Sequence, residues 1–430
     1  MRPTKISFFL LVFLIAFSFT LLGLLKSPPV IIFTYVSIVA SLLYILMAAH
    51  LFKVELTITE LVALIGIGII LRIVFINFSP VGSDDIYRYI WDGKIQSYGI
   101  NPYKYAPNDP GLNFLHSAVV PGRVNFPWMK TIYFPLSQWL FYVGFMLSGE
   151  KVWGYKLLLF ISELLTAGAL FLLLKKLKIN RKFMLLYLLC PVPILHFAID
   201  AHLDGFGLPF LLFSLLFYLN GKRLTALILL GLSLTIKPVG LILIPIIFLI
   251  ETGWKRKVES VLVPIAAFMI QFIPYLKTSN PFETFLIYSK NWTFNGVVFN
   301  LLDSVFHYNQ KTRLICAILL IFSLLPLYFG RMELIRKFYY AVLLLMLFSP
   351  VVHPWYIAWV AILLPLIPRW SGILFTALSG FSVLTVLNYQ LFGIWKEYPF
   401  VLIIEYLPFV LFMLYELKMD RPISYSEMAG

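Results

Sequence analysis

Long apolar runs separated by short polar breaks set the pattern of this chain. About 14 of them fall at roughly 6–25, 30–50, 57–78, 153–174, 183–199, 206–220, 224–236, 239–251, 258–276, 312–329, 335–350, 354–368, 371–390 and 398–416. Within each run the apolar residues are continuous and do not alternate at every second position, which excludes the strands of a membrane β-barrel and predicts helices. The expected fold class is an all-α polytopic membrane protein, one integral-membrane domain over residues 1–430 with about 12–14 transmembrane helices. Several runs are too short for a perpendicular crossing. Two long polar stretches, 79–152 and 277–311, interrupt the series and are read as loops, the first bearing interfacial helices.

Composition agrees. The 430 residues are 61% hydrophobic and only 13% charged, about half the charged fraction of an ordinary soluble domain. The net charge of +14 is spread over short basic clusters between apolar runs, as in membrane-protein loops, and so does not indicate a nucleic-acid partner. Cys190 and Cys316 lie inside apolar runs, where a thiol behaves as a small hydrophobe; neither a disulfide nor a metal site is implied. The first run ends Lys26-Ser27-Pro28-Pro29 without a small-x-small cleavage pattern, so it is expected to be an uncleaved helix.

Lys and Arg collect on the cytoplasmic side. Arg2 with Lys5, Lys53, the run Lys175 to Lys182, Lys222-Arg223, Lys255-Arg256-Lys257, Arg331 with Arg336-Lys337, Arg369, and Lys418 with Arg421 are therefore placed inside. An even number of crossings between consecutive inside clusters makes residues 224–251 a hairpin turning near Lys237-Pro238. It also keeps the apolar stretch 132–148 from crossing, so that stretch is expected to lie in or dip into the outer leaflet. With this threading, residues 79–152, Asp200 to Asp204, Lys237, residues 277–311 and His353 all face outward.

Those outward segments carry the polar chemistry. Ser83 can cap a helix whose first turn holds Asp84 and Asp85, and Asp84, Arg88 and Asp92 follow at four-residue spacing on one face. A capped, salt-bridged surface helix is the plain alternative; the chemical one is a carboxylate that deprotonates a sugar hydroxyl or holds a divalent cation. Asn101-Pro102-Tyr103 opens a stretch with Pro107, Pro110, Pro121, Pro127 and Pro135, too proline-rich for regular structure and too aromatic for a disordered linker. It is read as an ordered lid or pocket wall, whose Tyr and Trp side chains stack on a sugar or anchor at the interface. Asp200-Ala201-His202-Leu203-Asp204-Gly205 can ligate a metal or relay protons, or simply cap a helix. Lys237 can snorkel to headgroups or neutralise a lipid-linked phosphate. Asn291 to Gly296 and His353-Pro354-Trp355-Tyr356 complete the set.

In order and content, Asp84-Asp85-x-Tyr87-Arg88-Tyr89-x-Trp91-Asp92-Gly93, Gly99-x-Asn101-Pro102-Tyr103, Thr131 to Gln138, His202-x-Asp204-Gly205, Lys237-Pro238 and His353-Pro354-Trp355-Tyr356 resemble the GT-C superfamily of integral-membrane glycosyltransferases. The likeness is to the bacterial polyprenol-phosphate-mannose-dependent mannosyltransferases and covers about residues 57–370. It implies an inverting transferase in the bacterial cytoplasmic membrane, its active site facing outward, that moves a hexose, here mannose, from a polyprenyl phosphate to a glycan or glycolipid acceptor. By position the catalytic base is Asp84 or Asp85. Donor-phosphate or substrate contacts fall to Arg88, Lys237, His202, Asp204, His353, Tyr87, Trp91, Asn101, Tyr103, Trp292 and Asn295. No resident cofactor is assigned; a divalent cation, if used, would sit on Asp84, Asp85, His202 or Asp204. Phe134 departs from the resemblance, since relatives often have a second proline before Pro135. A transporter or flippase of a lipid-linked saccharide should instead show charges near span midpoints, of which Glu163 and Glu405 are the main instances, and a noncatalytic scaffold would not explain the motif order.

The threading predicts that cysteines substituted at Asn108 and Lys178 are labelled from opposite faces of the membrane. Labelling of both from the same side overturns it.

Overall fold

Helices account for the architecture because a lipid environment leaves the backbone no partners but its own. The computed structural model describes residues 3–25 and 28–419; Arg2, Lys26, Ser27 and Arg421, used above for threading and for the uncleaved first helix, lie outside the described residues. Each of the predicted apolar runs carries a helix or a broken helix, and no strand occurs among the described residues. Seven helices there are long and apolar enough to cross a membrane: Thr4–Leu24, Val30–Leu51, Trp153–Leu177, Trp254–Leu276, Asn309–Phe329, Trp370–Phe392 and Pro399–Met419. The rest of the expected 12–14 are shorter or broken, among them Leu203–Leu219, Arg223–Leu234 and Pro238–Ile250. Arg181–Leu188 and Pro191–Ile199 form a pair bent by 45°, where Pro191 and Pro193 remove backbone donors.

The Pro3–Leu24 helix shows what surrounds the protein. Phe8, Val12, Ile15, Phe19 and Leu22 are buried, yet the opposite face presents Ile6, Leu10, Phe13, Phe17 and Leu21, each about half exposed. A soluble helix would be polar on that second face; an apolar one requires lipid. Asn309–Phe329 repeats the pattern with Leu314, Ile321 and Phe322 exposed.

The chain divides into two compact units. One comprises Met1–Phe75, Ala167–His196 and Thr293–Gly430. In it Thr57 and Glu60 form a reciprocal capping box at the start of Ile58–Ile73. Near the helix break, the Tyr44 hydroxyl donates to the Leu186 carbonyl at 2.6 Å and Arg72 Nη1 to those of Gly68 and Leu188 at 2.7 and 2.8 Å, which satisfies buried backbone that the bend exposes.

The other unit comprises Ile76–Thr166 and Phe197–Trp292 and contains the acidic pair. Its helix Asp85–Ser97 lies against Pro135–Ser148, the stretch expected to lie in the outer leaflet. Pro135 stands in the first turn of that second helix, where a missing N–H costs nothing, and Trp139, Tyr142, Val143, Met146 and Leu147 leave an exposed apolar face on it. Tyr89 stacks on Phe141 at 4.4 Å, with Tyr133 set edge-on to both. The helices approach so closely at Gly93 that a Cβ there would fall inside contact distance of the Phe141 carbonyl.

Gly93→Ala is therefore expected to lower stability by about 1–3 kcal/mol, the scale of overpacking against backbone that cannot move aside. A melting temperature in detergent equal to that of the unmodified protein would contradict this packing.

Candidate active site

The site is built on the segment that leads into the Asp85–Ser97 helix. Asp200 Oδ1 accepts hydrogen bonds from the backbone of Val81 (2.9 Å) and Gly82 (2.8 Å). Fully buried Lys156 donates to the carbonyls of Phe78 (2.5 Å) and Ile199 (2.7 Å), holding the same two strands of chain from the other side. Ser83 Oγ accepts from the Asp85 amide at 3.3 Å, but the helix begins at Asp85 with Asp84 as its N-cap residue and no side-chain cap, so Ser83 does not cap it and only Asp85 stands in its first turn. Asp84 does not join Arg88 along the helix face: its Oδ1 accepts from Asn125 Nδ2 at 3.0 Å, and the same nitrogen donates to Asp85 Oδ1 at 2.7 Å. One amide group thus uses its two hydrogens to hold two carboxylates side by side.

His202, buried, stands with Nδ1 3.4 Å from Asp85 Oδ2, and Lys237 Nζ lies 3.6 Å from Asp204 Oδ1. Tyr89 is within electrostatic reach of both Asp85 and Asp204, so the acidic pair, His202 and the Asp204–Lys237 pair form one polar cluster in this unit. Of the four residues expected to hold a cation, Asp85 and His202 are the pair brought to 3.4 Å. Backbone strain surrounds them: Ala201, between Asp200 and His202, has φ +61°, and Phe126, next to Asn125, has φ +46°. Left-handed geometry at non-glycine residues costs about 1–2 kcal/mol each and persists where the surroundings impose it.

Asp84 is exposed toward solvent but closely surrounded on its inner side. That enclosure first, and the like charge of Asp85 second, raise its pKa from 3.8 to about 6, against the lowering effect of the Asn125 hydrogen bond.

Arg88 is placed differently from a free phosphate ligand. It is buried, with Nε on Asp92 Oδ1 at 2.9 Å and Nη1 on the Met129 carbonyl at 2.9 Å, while Nη2 has no hydrogen-bond partner among the described residues. Trp91 and Tyr103 are buried as well: Trp91 packs edge-on against His116, and the Tyr103 hydroxyl donates to the Tyr133 carbonyl at 2.7 Å. Asn101 ties the loop to Tyr275, Thr278 and Ser279 through its Nδ2. Trp91 and Tyr103 are buried and Asn101 is half-buried, and their contacts hold the proline-rich segment in shape. Tyr87 accepts from Arg123 Nη1 at 2.8 Å. Trp292 stacks on Tyr288 and meets Phe126 edge-on at 4.9 Å; Phe126 in turn meets exposed Trp128, which makes an aromatic ladder beginning one residue beyond Asn125.

Asn295 and His353 belong to the first unit. Asn295 is buried, donating from Nδ2 to Glu405 (2.5 Å) and from its amide to Glu397 (2.8 Å), and His353 is stacked between Phe294 (4.7 Å) and Trp355 (4.3 Å). Asn125, Lys156, Phe126 and Trp128 were not singled out by sequence. For Asn125, Phe126 and Trp128 the signal available was their place in the ordered proline-rich loop; Lys156, on the Trp153–Leu177 helix, carried none.

Residues 16–253 match the family model described as the N-terminal domain of alpha-(1->6)-mannopyranosyltransferase, and residues 293–416 match the MptB C-terminal domain. With its apolar helices, the protein is thus an integral-membrane glycosyltransferase, which sets aside the transporter and scaffold readings. The chain belongs to the alpha-(1->6)-mannopyranosyltransferase family. Neither a curated protein nor a solved structure matches it.

The raised pKa of Asp84 makes a signed prediction. The folded state binds this proton more tightly than the unfolded chain does, so the contribution favours folding below about pH 3.8 and is lost as pH rises through about 6. Asp84→Asn should accordingly raise the melting temperature at pH 8, with the gain shrinking as pH falls below 6. A loss of stability at pH 8 would show the carboxylate to be favourably held instead.

Proposed function

We propose that the protein is an inverting mannosyltransferase that takes mannose from a polyprenyl phosphate at the outer face of the membrane and passes it to a hydroxyl of a glycan or glycolipid acceptor. The observation that carries this reading is the pair Asp84–Asp85, bridged by Asn125 and backed by His202. An acceptor hydroxyl ionises far above neutral pH and needs a carboxylate to take its proton as the new bond forms. A base whose pKa lies near 6 is ionised at neutral pH yet more basic than an ordinary aspartate.

In this reaction the acceptor oxygen attacks the anomeric carbon from the face opposite the phosphate. The bond from that carbon to the phosphate oxygen breaks, its electron pair leaves with the polyprenyl phosphate, and the hydroxyl proton passes to Asp84 or Asp85. Lys237 meets the phosphate by exchanging its loose contact with Asp204, and Arg88 contributes its fixed positive charge and its unbonded Nη2 amino group. The ladder of exposed Trp128 and Phe126 with half-buried Trp292 offers apolar faces to a sugar ring. Outward orientation rests on the basic clusters, and a lipid-linked donor follows from it, because the outer face has no ready supply of nucleotide sugars.

Asp84→Asn or Asp85→Asn is expected to lower turnover at least about a hundredfold, one much more than the other since one base suffices. Lys237→Met should weaken donor use by about 1.5–3 kcal/mol, the scale of a charge-assisted hydrogen bond, seen mainly in donor dependence. The assay is transfer by purified protein from polyprenyl-phosphomannose. Near-normal turnover in both aspartate variants removes the base assignment, and efficient transfer from a nucleotide sugar overturns the donor.

A further inference from the structure

A second site lies in the first unit and shares no residue with the acidic cluster. The Trp153–Leu177 helix, one of the seven full-length apolar helices, ends in a turn where Lys178 adopts φ +57°. Ile179 N bonds back to the Leu174 carbonyl at 2.9 Å, and Asn180 Oδ1 then caps the next short helix through Lys182 N at 3.0 Å. A left-handed residue at a helix end is ordinarily glycine; here the position carries a cation instead. The turn borders a cavity of about 400 Å³ whose accessible apolar lining is Leu56 and Ile58, backed by buried Leu61, Leu174 and Ile179, and whose charged lining is Lys175, Lys178 and Arg181.

The rim charges are uncompensated. Among the described residues neither Lys175 nor Lys178 makes an ion pair, and Arg181 lies over the Phe171 ring at 4.9 Å. The nearby carboxylates are engaged with other cations: Glu60 pairs with Lys5 at 2.7 Å, and Glu55 faces Lys182. Two lysines outside any ion pair and an arginine resting on an aromatic ring, beside the accessible apolar side chains of Leu56 and Ile58 at the end of a membrane-crossing helix, complement a molecule with an anionic head and a hydrocarbon body. The volume lies within the range of small-molecule pockets and far exceeds that of an inorganic phosphate.

We infer that this cavity binds one anionic glycerophospholipid, its phosphate on Lys175, Lys178 and Arg181 and the start of its acyl chains on Leu56 and Ile58. Because α-helix ends lie at the boundary of the bilayer, the site can fill from the surrounding leaflet without the lipid leaving the membrane.

The test uses the full chain, purified in neutral detergent, with melting temperature and lipid retention in native mass spectrometry as readouts. Phosphatidylglycerol should raise the melting temperature and be retained as one molecule, whereas phosphatidylcholine and inorganic phosphate should do neither. The triple variant Lys175→Gln, Lys178→Gln, Arg181→Gln should bind phosphatidylglycerol at least about tenfold more weakly while melting normally in phosphatidylcholine. Ile58 also lines the cavity and is exposed, so Ile58→Trp fills the space with every cation kept. It should likewise lose the retained lipid, and it decides the matter if the triple variant fails to fold. Equal effects of phosphatidylglycerol and phosphatidylcholine on the unmodified protein, full phosphatidylglycerol retention in Ile58→Trp, or an equal effect of phosphate would each overturn the inference.

Discussion

A single buried carboxylate, Asp92, organises the unit that carries the acidic pair. Burying such a charge is costly unless it is paired and hydrogen-bonded at both oxygens. Asp92 meets that condition through Arg88 Nε on one oxygen, and Thr131 Oγ1 (2.5 Å) and Gln138 Nε2 (3.0 Å) on the other. These partners come from its own helix, from the end of the proline-rich loop and from the Pro135–Ser148 helix, so satisfying one charge joins three pieces of chain. Arg88 then extends the network to the Met129 carbonyl. The loop from residue 98 to 134 has little regular structure of its own and takes its shape from these bonds and from those of Asn101 and Tyr103.

The acidic pair depends on that frame. Asn125 reaches Asp84 and Asp85 only because the loop returns past the start of the helix, and the left-handed backbone at Phe126 and Ala201 is held where loop and cluster meet. Neighbouring carboxylates repel, and enclosure raises the cost further. A single amide that donates to both offsets part of that repulsion while leaving Asp84 open to solvent. The cluster is pre-organised at some expense to stability, the usual relation between strain and function.

The other unit treats its buried acid differently. Glu405 lies fully buried on the Pro399–Met419 helix, where Asn295 Nδ2 donates to it. The Asn295 backbone is fixed in turn by Glu397 and by the Tyr406 hydroxyl, which donates to its carbonyl at 2.8 Å. Phe294, His353 and Trp355 stack above this anchor. An apparent span charge of the kind that would mark a transporter is here a pin for a loop.

The apolar runs, the helical class, the adjacent acids at 84 and 85, and the turn at Lys237 were legible in the sequence, because continuous hydrophobicity and short-range motifs are local properties that lipid and backbone chemistry enforce wherever they occur. Which side chains answer one another was not. Asn125 lies 40 residues from Asp85, and Lys156 lies 78 from Phe78 and 43 from Ile199, and no periodicity links such positions. The same holds for Trp91 and Tyr103, whose residue types suit sugar stacking but whose side chains are buried, and for Arg88, whose charge belongs first to Asp92. Spacing of four along a helix predicted both Asp84 and Asp92 as its partners; only the return of the loop, bringing Asn125 to one and Thr131 to the other, decided between them.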